Sequence, residues 1–320
     1  MYSCNWTLIH FHLGRTGGIF FRENVLHRKY KSALRYITVN RIHKNINNYP
    51  MLISDISSMN DDQKKMINCV TGHLPFGVHK LFPQQCKYIS LVRNPIDRVI
   101  SEYYSLNDKP EHPFNKYYLS KKISFEDFIC LETINEKGKV PEGIYMGTGI
   151  KNQQTRFING ILYRSALGDL APAYDDTLGK AIENIKQYFL LIGTVEQYEK
   201  FLILLRRKMK WNFRDIFHYR KKMNVSTKRP RKEELPKRII QLIEKNNSDD
   251  MELYDYVKKT FNKQIENYPN FNQDLEKFQK LNRFYGSFYT RYIYRFPHKI
   301  ISRFDIRLSN NKIYRKKYDV

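Results

Sequence analysis

Cysteine is scarce in this chain and forms no recognisable metal or disulfide pattern. Four cysteines occur in 320 residues, and none of them belongs to a Cys-x-x-Cys pair. They stand far apart, at Cys4, Cys69, Cys86 and Cys130. We therefore expect neither a zinc site nor a disulfide framework, and we predict that the protein binds no metal.

Long apolar runs are also missing from the sequence. No segment approaches the ~18 consecutive apolar residues of a membrane-spanning helix. The N-terminus lacks the charged start and apolar stretch of a signal peptide. These absences lead us to expect a cytoplasmic protein, with association to a membrane surface left open.

Acidic residues are few relative to basic ones. The chain has 56 Lys and Arg against 32 Asp and Glu, a formal charge of +24. Such an excess favours anionic partners, namely nucleotide phosphates, acidic glycans, nucleic acid or a membrane surface. Hydrophobic residues make up 41% of the chain, which is typical of a globular protein. The length suits one large α/β domain, or one domain with an appendage.

The N-terminal region has the pattern of a phosphate-binding turn. An apolar run, Thr7–Phe11, predicts a buried strand, and a helix is predicted from Gly18 to Lys29. Between them lie Gly14 and Gly17, with Arg15 adding a positive charge. Backbone N–H groups and the helix dipole favour an anion at such a turn. The Walker sequence GxxxxGK[ST] is absent, so the turn alone does not identify the phosphate ligand.

A second anion site is predicted where the strand Tyr88–Val92 runs into Arg93. Pro95 suits the first turn of a helix, and on that helix Arg98 and Ser101 are three residues apart and share a face. Ligands of α/β folds bind at the carboxyl ends of strands, where Arg93 would lie. Guanidinium and hydroxyl groups converging there predict a second phosphate site. Two such sites suit a nucleotide that is phosphorylated at both ends.

Strands and helices alternate along most of the chain. The further predicted strands are Tyr36–Val39, Met51–Ser54, Asn68–Thr71 and Tyr188–Ile192. This alternation predicts a P-loop-like three-layer α/β fold, with a central, mostly parallel sheet flanked by helices. We assign residues 1–267 to this domain. Residues 268–320 form a basic, aromatic-rich C-terminal extension, predicted to be helical.

Six segments in order carry a resemblance to a known family; they are Phe11–Gly18, Gly72–Gly77, Val92–Tyr104, Asn152–Phe157, Tyr188–Leu205 and Asn224–Pro230. Together they resemble the sulfotransferases that use 3′-phosphoadenosine 5′-phosphosulfate (PAPS). The resemblance is to the carbohydrate branch that contains the heparan-sulfate 2-O- and 6-O-sulfotransferases. It implies transfer of a sulfuryl group from PAPS to a hydroxyl of a glycan or glycolipid, with 3′-phosphoadenosine 5′-phosphate (PAP) as product and without a metal.

The resemblance also implies roles for individual residues. Arg15 stands where the family has its catalytic lysine, and His73 aligns with the histidine that deprotonates the acceptor, with His79 as the nearest rival. The implied cofactor-binding residues are Gly14, Arg15, Thr16, Gly17, Gly18, Ile19, Arg93, Arg98, Ser101, Thr227, Lys228 and Arg229. The implied substrate-binding residues are His73, Asn152, Gln154 and Arg156. Ile19 and Phe20 replace a Thr-Ser pair of the family.

Several alternatives stay open on the sequence alone. Met51–Asp55 has the form of a Walker-B strand, which would suit a P-loop-type kinase that uses ATP. The net charge would also suit a non-catalytic protein that binds polyanions. The C-terminal extension suits either contact with an anionic membrane or docking on the domain. We expect a glycan or glycolipid acceptor, acidic glycans included, and no specific nucleic acid partner.

Overall fold

The centre of the fold is a parallel β-sheet. The computed structural model describes residues 6–38, 51–105, 119–120, 122–130, 150–162, 167, 169–170, 175–218 and 229–288. Within these ranges the sheet has six strands, β1 Trp6–Phe11, β2 Leu34–Thr38, β3 Met51–Leu52, β4 Cys69–Gly72, β5 Gln85–Val92 and β6 Phe189–Thr194. They lie in the order β3-β2-β4-β1-β5-β6, and every pair is parallel. All carboxyl ends therefore meet at one edge, with β1 between β4 and β5.

Helices connect the strands and cover the sheet. Those before β5 are α1 Gly18–Phe21, α2 His27–Tyr30, α3 Ile53–Ser57 and α4 Asp61–Lys65, and a π-helical turn, Arg22–Leu26, joins α1 to α2. Those that follow are α5 Pro95–Tyr104, α6 Phe125–Cys130, α7 Gln153–Ile158, α8 Leu178–Tyr188, α9 Tyr198–Lys208, α10 Lys237–Asn246, α11 Ser248–Glu266 and α12 Phe271–Phe288.

Each face of the sheet has its own hydrophobic core, because successive strand residues point to opposite faces. Ile9 and Tyr88 belong to one core, while their neighbours Leu8 and Ile89 belong to the other. Helices α3, α7 and α8 cover the first face, and α9 and α12 cover the second. Helix α11 contributes to both cores. The predicted three-layer α/β fold is confirmed.

One predicted strand is shorter than expected. Met51–Ser54 was predicted from its apolar residues, but the strand ends at Leu52 and Ile53 begins α3. The cause is a helix cap, because Asp55 Oδ2 accepts a hydrogen bond of 2.7 Å from the Leu52 N–H. Strand β3 also lies at the edge of the sheet, three positions from β1. The Walker-B interpretation of Asp55 is therefore wrong.

The start of the predicted C-terminal extension is helical. Helix α12 buries Phe271 and Phe278 in the core that also contains Phe201, whereas Leu281 and Phe284 are exposed. Residues 289–320 lie outside the described ranges, and the boundary at 267/268 stays a prediction. In the part of the chain that the structure describes, no helix has the length and apolar character needed to cross a bilayer.

Candidate functional site

The glycine-bearing turn follows β1 directly and leads into α1. Arg15 and Gly17 both adopt left-handed backbone conformations, with φ of 63° and 74°. The Thr16 hydroxyl donates a hydrogen bond of 2.8 Å to the carbonyl of Leu13, which closes the turn from inside. A Cβ atom built on Gly17 would have nothing within 4 Å, so the turn is open on that side. This is the shape expected of an anion cradle.

Predicted site residues from separate segments come together at the carboxyl edge of β1 and β5. Arg15 Nε donates to the Ser101 hydroxyl at 3.3 Å, and Arg93 Nη1 donates to the carbonyl of Arg15 at 3.1 Å. Arg229 Nη2 lies 3.9 Å from Asp97 Oδ1 on α5. The two sites predicted separately thus form one continuous cationic surface. Thr227 and Lys228 lie outside the described residues.

Positive charge is concentrated around Arg93. The pKa of Arg93 is lowered to about 10, chiefly by burial and then by the charge of Arg229. Arg15 lowers it further, while Asp97 and Glu196 act in the opposite direction. The guanidinium is thus only partly compensated by protein carboxylates. A bound phosphate would supply the missing negative charge.

Glu102 lies at the inner end of this surface. Its Oε2 atom is 4.0 Å from Arg15 Nε. The same oxygen is buried and accepts no hydrogen bond. An anion that bound Arg15 would therefore enter close to a carboxylate, which disfavours binding.

Arg98 does not belong to this surface, and its predicted role in cofactor binding is corrected. Its side chain is fully buried. The guanidinium donates to Gln153 Oε1 at 2.5 Å and to the carbonyl of Ile150 at 2.8 Å, and its Nε lies 3.9 Å from Asp250 Oδ2. Arg98 therefore joins α5 to α7 and α11 in the interior. An arginine on this face of α5 could point either to the anion-binding surface or to the protein interior. Arg98 points to the interior.

Asn152 is held by hydrogen bonds within the protein. Its Oδ1 atom accepts hydrogen bonds from the N–H groups of Asp249 and Asp250, at 3.1 and 3.2 Å. Its Nδ2 donates to Asp249 Oδ2 at 3.1 Å. The side chain therefore satisfies the first N–H groups of α11. Its role in substrate binding stays a prediction.

Gln154 acts on the site through Arg93. Its Oε1 accepts from the Arg93 N–H at 2.8 Å, and its Nε2 donates to the Arg93 carbonyl at 2.9 Å. The sequence predicted that Gln154 contacts the substrate directly. Only 1% of this residue is exposed, so that prediction is corrected. Arg156 is partly exposed, with Nε 3.5 Å from Asp176 Oδ2, and its role in acceptor binding stays a prediction.

His73 follows β4 directly and lies partly buried at the same edge of the sheet. Its Nδ1 is 2.8 Å from the carbonyl oxygen of His12. Because a carbonyl only accepts hydrogen bonds, the proton of the neutral ring is on Nδ1 and the lone pair is on Nε2. This tautomer is the one that a general base needs if Nε2 is to take the proton of an acceptor.

His79 is in a different environment from His73. Its Nδ1 lies 2.8 Å from the Tyr88 hydroxyl, and its ring packs against Tyr188. Burial lowers the pKa of His79 to about 4. Tyr88 lies in the hydrophobic core that contains Ile9 and Tyr188 packs against that core, so the structure favours His73 over His79 as the candidate base.

Two residues of this region were missed by the sequence reasoning. Asp250 is fully buried and accepts from the N–H groups of Gln154 and Thr155, at 3.1 and 2.7 Å. Gln153 receives the hydrogen bond from Arg98. An acidic residue in the first turn of a helix is usually explained by the helix dipole alone, so the sequence offered no signal for Asp250. Among the described residues, no cluster of His, Cys, Asp or Glu is arranged to hold a metal ion.

A three-layer α/β domain with an arginine-lined anion site at the carboxyl edge of its sheet is typical of proteins that bind phosphorylated nucleotides. The family model for galactose-3-O-sulfotransferase matches residues 19–276. The chain belongs to this family. The resemblance to PAPS-dependent carbohydrate sulfotransferases is confirmed, and within that group the matching family is the galactose 3-O one.

Two curated relatives give the same result at low identity. Galactose-3-O-sulfotransferase 2 of Sus scrofa is 24% identical over 207 residues, which cover 62% of this chain and 46% of the relative. The protein of the same name from Mus musculus is 23% identical over 202 residues, covering 61% of this chain and 45% of the relative. The chain thus spans less than half the length of the curated relatives that it matches.

Proposed function

We propose that this protein transfers a sulfuryl group from PAPS to a hydroxyl of a carbohydrate by in-line displacement. The observation that carries the proposal is the convergence of Arg15, Arg93, Ser101 and Arg229 on one surface. The surface extends from the turn after β1 to the start of α5, as a nucleotide with phosphates at both ends requires. The position of Arg93 supports the fit, because this partly buried guanidinium lies near the charges of Arg229 and Arg15, and a bound phosphate would offset the positive charge gathered there.

The residues of the chain have separate tasks in this proposal. The turn and Arg15 hold the 5′-phosphosulfate, and Arg15 stabilises the charge that develops on the departing phosphate oxygen. Arg93 and Ser101 hold the 3′-phosphate, with Arg229 adding charge from the far side. His73 Nε2 takes the proton of the acceptor hydroxyl as its oxygen bonds to sulfur and the bond from sulfur to the leaving oxygen breaks.

The direct test is calorimetry with PAP in metal-free buffer. We expect the wild type to bind PAP, and Arg93→Ala to lose most of the affinity. Arg238→Ala is a matched control, since its guanidinium is 74% exposed and pairs with Glu126 on α6. Absence of binding in the wild type would overturn the use of PAPS. Unchanged binding in Arg93→Ala would overturn the assignment of the 3′-phosphate site.

The same measurement separates the alternatives. A P-loop-type kinase would bind ATP with Mg²⁺ in preference to PAP. A polyanion-binding protein would bind heparin or nucleic acid with steep salt dependence and show no affinity for PAP.

We propose a galactose-bearing glycan or glycolipid as the acceptor, since the relatives are named for galactose 3-O-sulfation. The test is transfer of labelled sulfate from PAPS to β-galactosides and to matched glucosides, which differ in the orientation of the 4-hydroxyl. Label on galactosides alone supports the proposal, and equal label on both contradicts the choice of sugar. A cytoplasmic location, and membrane contact through the C-terminal extension of residues 268–320, are proposed on the sequence alone.

A further inference from the structure

A row of three histidine rings lies beneath the candidate site. The His12 ring is stacked on the His73 ring, with centroids 4.3 Å apart and planes 24° apart. The His10 ring lies 5.6 Å from that of His12, with planes 12° apart. His10 and His12 are 2% and 5% exposed. Contact with solvent therefore does not account for polar side chains at these two positions.

His12 also contacts the start of the phosphate-binding helix. A Cβ atom on Gly18 would come within 1.9 Å of His12 Cδ2 and 2.4 Å of its Nε2. The ring therefore occupies the space that any side chain at the first residue of α1 would need. One face of the turn and the ring of His73 are both in contact with this single side chain.

The backbone of His12 fixes His73 as well. The His12 carbonyl accepts the hydrogen bond from His73 Nδ1 at 2.8 Å. The His12 ring thus sets the plane of the His73 ring, and the His12 carbonyl sets the tautomer of His73. Stacked aromatic rings resist reorientation, and the stack defines where His73 Nε2 points.

We infer that His12 is a positioning residue that holds the candidate base His73 in register with the nucleotide cradle. This inference rests on the proposed function, since His73 matters as a base only if an acceptor is deprotonated there. His12 does not touch the reacting atoms. It acts by stacking its ring on that of His73 and by packing against Gly18.

The charges around His12 agree with this role. Burial lowers the pKa of His12 well below its usual value, and His73, His10 and Arg22 act in the same direction. His12 therefore remains neutral at pH 7. A neutral ring stacks on His73 without competing for the proton that His73 is to receive.

The test compares His12→Asn, which removes the ring, with His12→Phe, which keeps an aromatic face. The first readout is the tautomer of His73 in the ligand-free protein, measured from the ¹⁵N shifts of its ring nitrogens. We expect the Nδ1–H form in the wild type and in His12→Phe. We expect a mixture of tautomers in His12→Asn, because without the stacked ring His73 can turn away from the His12 carbonyl. The second readout is the split between kcat and the affinity for PAP.

In His12→Asn we expect kcat to fall by about 10-fold to 100-fold, because a base displaced by about 1 Å loses that much rate. The Kd for PAP stays within about threefold of the wild type, and His12→Phe recovers most of kcat. His10→Asn is the matched control, since His10 is buried like His12 but its ring is one place further from His73.

The inference fails if His12→Asn keeps the wild-type tautomer, if its PAP affinity falls as far as kcat, or if His10→Asn has the same effect. A variant that does not fold is recognised by circular dichroism, and His12→Leu, which also removes the aromatic ring, then takes the place of His12→Asn. If the wild type shows no sulfuryl transfer, the proposed function falls, while the tautomer readout still decides the coupling of His12 to His73.

Discussion

The side-chain amide of Gln154 binds both the backbone N–H and the backbone carbonyl of Arg93. The amide accepts from the Arg93 N–H at 2.8 Å and donates to the Arg93 carbonyl at 2.9 Å. Gln154 in turn has its own N–H bound to the buried Asp250 at 3.1 Å. The end of β5 is therefore fixed from the interior, and the Arg93 guanidinium is left to face the cationic surface.

Replacing Gln154 by Ala is expected to weaken PAP binding about tenfold. Two hydrogen bonds to the partly buried backbone of Arg93 are lost, at about 1 kcal/mol each, and the Arg93 side chain is no longer fixed. Calorimetry with PAP measures the effect. Gln279→Ala is the control, because Gln279 binds Glu199 on the outer helices α12 and α9. Equal affinities for Gln154→Ala and wild type would show that Arg93 is positioned without Gln154.

Arg15 is expected to be needed for its charge. We predict that Arg15→Ala lowers kcat at least 100-fold, because the charge that stabilises the departing phosphate oxygen is lost, while Arg15→Lys, which keeps a positive charge, stays within about tenfold of the wild type. Steady-state assays with PAPS and a galactoside measure both. Full activity in Arg15→Ala would remove Arg15 from the mechanism, and would leave only a role in holding α5.

Glu102 is expected to oppose the nucleotide. Its carboxylate lies 4.0 Å from Arg15 Nε and would repel an incoming phosphosulfate. Glu102→Gln keeps the shape and removes the charge, so we predict PAP binding that is about twofold to fivefold tighter at low salt. The gain should shrink as ionic strength rises. Weaker binding in Glu102→Gln would instead mean that the carboxylate serves to orient Arg15.

Acid is expected to destabilise the fold through the buried histidines. The pKa of His10 is lowered from 6.5 to about 3, first by burial and then by Arg22 and His73. Below pH 6.5 the unfolded chain gains a proton at His10 that the folded protein does not accept until about pH 3. The free energy of unfolding therefore falls across this window, by at most about 1.4 kcal/mol per pH unit for each such histidine.

Urea unfolding between pH 7.5 and 5 measures this slope. His10→Asn should flatten it, because the variant no longer has the titrating group. His27→Asn is the matched control, since His27 is exposed at the start of α2. Identical slopes in wild type and His10→Asn would contradict the assignment of acid sensitivity to His10.

The order of strands and helices could be predicted from the sequence because apolar periodicity is a local signal. The strand before the turn and the helix that begins at Pro95 are examples, since each is specified by its own residues. Met51–Ser54 is the exception. There the pattern of apolar residues was right, but the side chain of Asp55 ended the strand by capping a helix.

The cationic surface was predictable to the extent that its residues lie within short motifs. Arg15 and Arg93 are each next to a turn or a helix start that fixes their position, and Ser101 lies on the helix that Pro95 begins. Arg98 was assigned wrongly because its partner Asp250 is distant in sequence. A polar side chain in a motif does not disclose whether it binds a ligand or, as Arg98 does at Asp250, faces a buried group about 150 residues away.

Asp250 has a consequence for how the protein is made. The turn, Arg93 and Gln154 are all synthesised before the carboxylate that binds the N–H groups of α7. A chain growing from its N-terminus therefore exposes all six strands and every arginine of the surface before the carboxylate of Asp250 has left the ribosome. A nascent chain stalled ahead of Asp250 would lack the side chain that holds the N–H of Gln154, and so the interior support of Arg93 is the last part of this region to be synthesised.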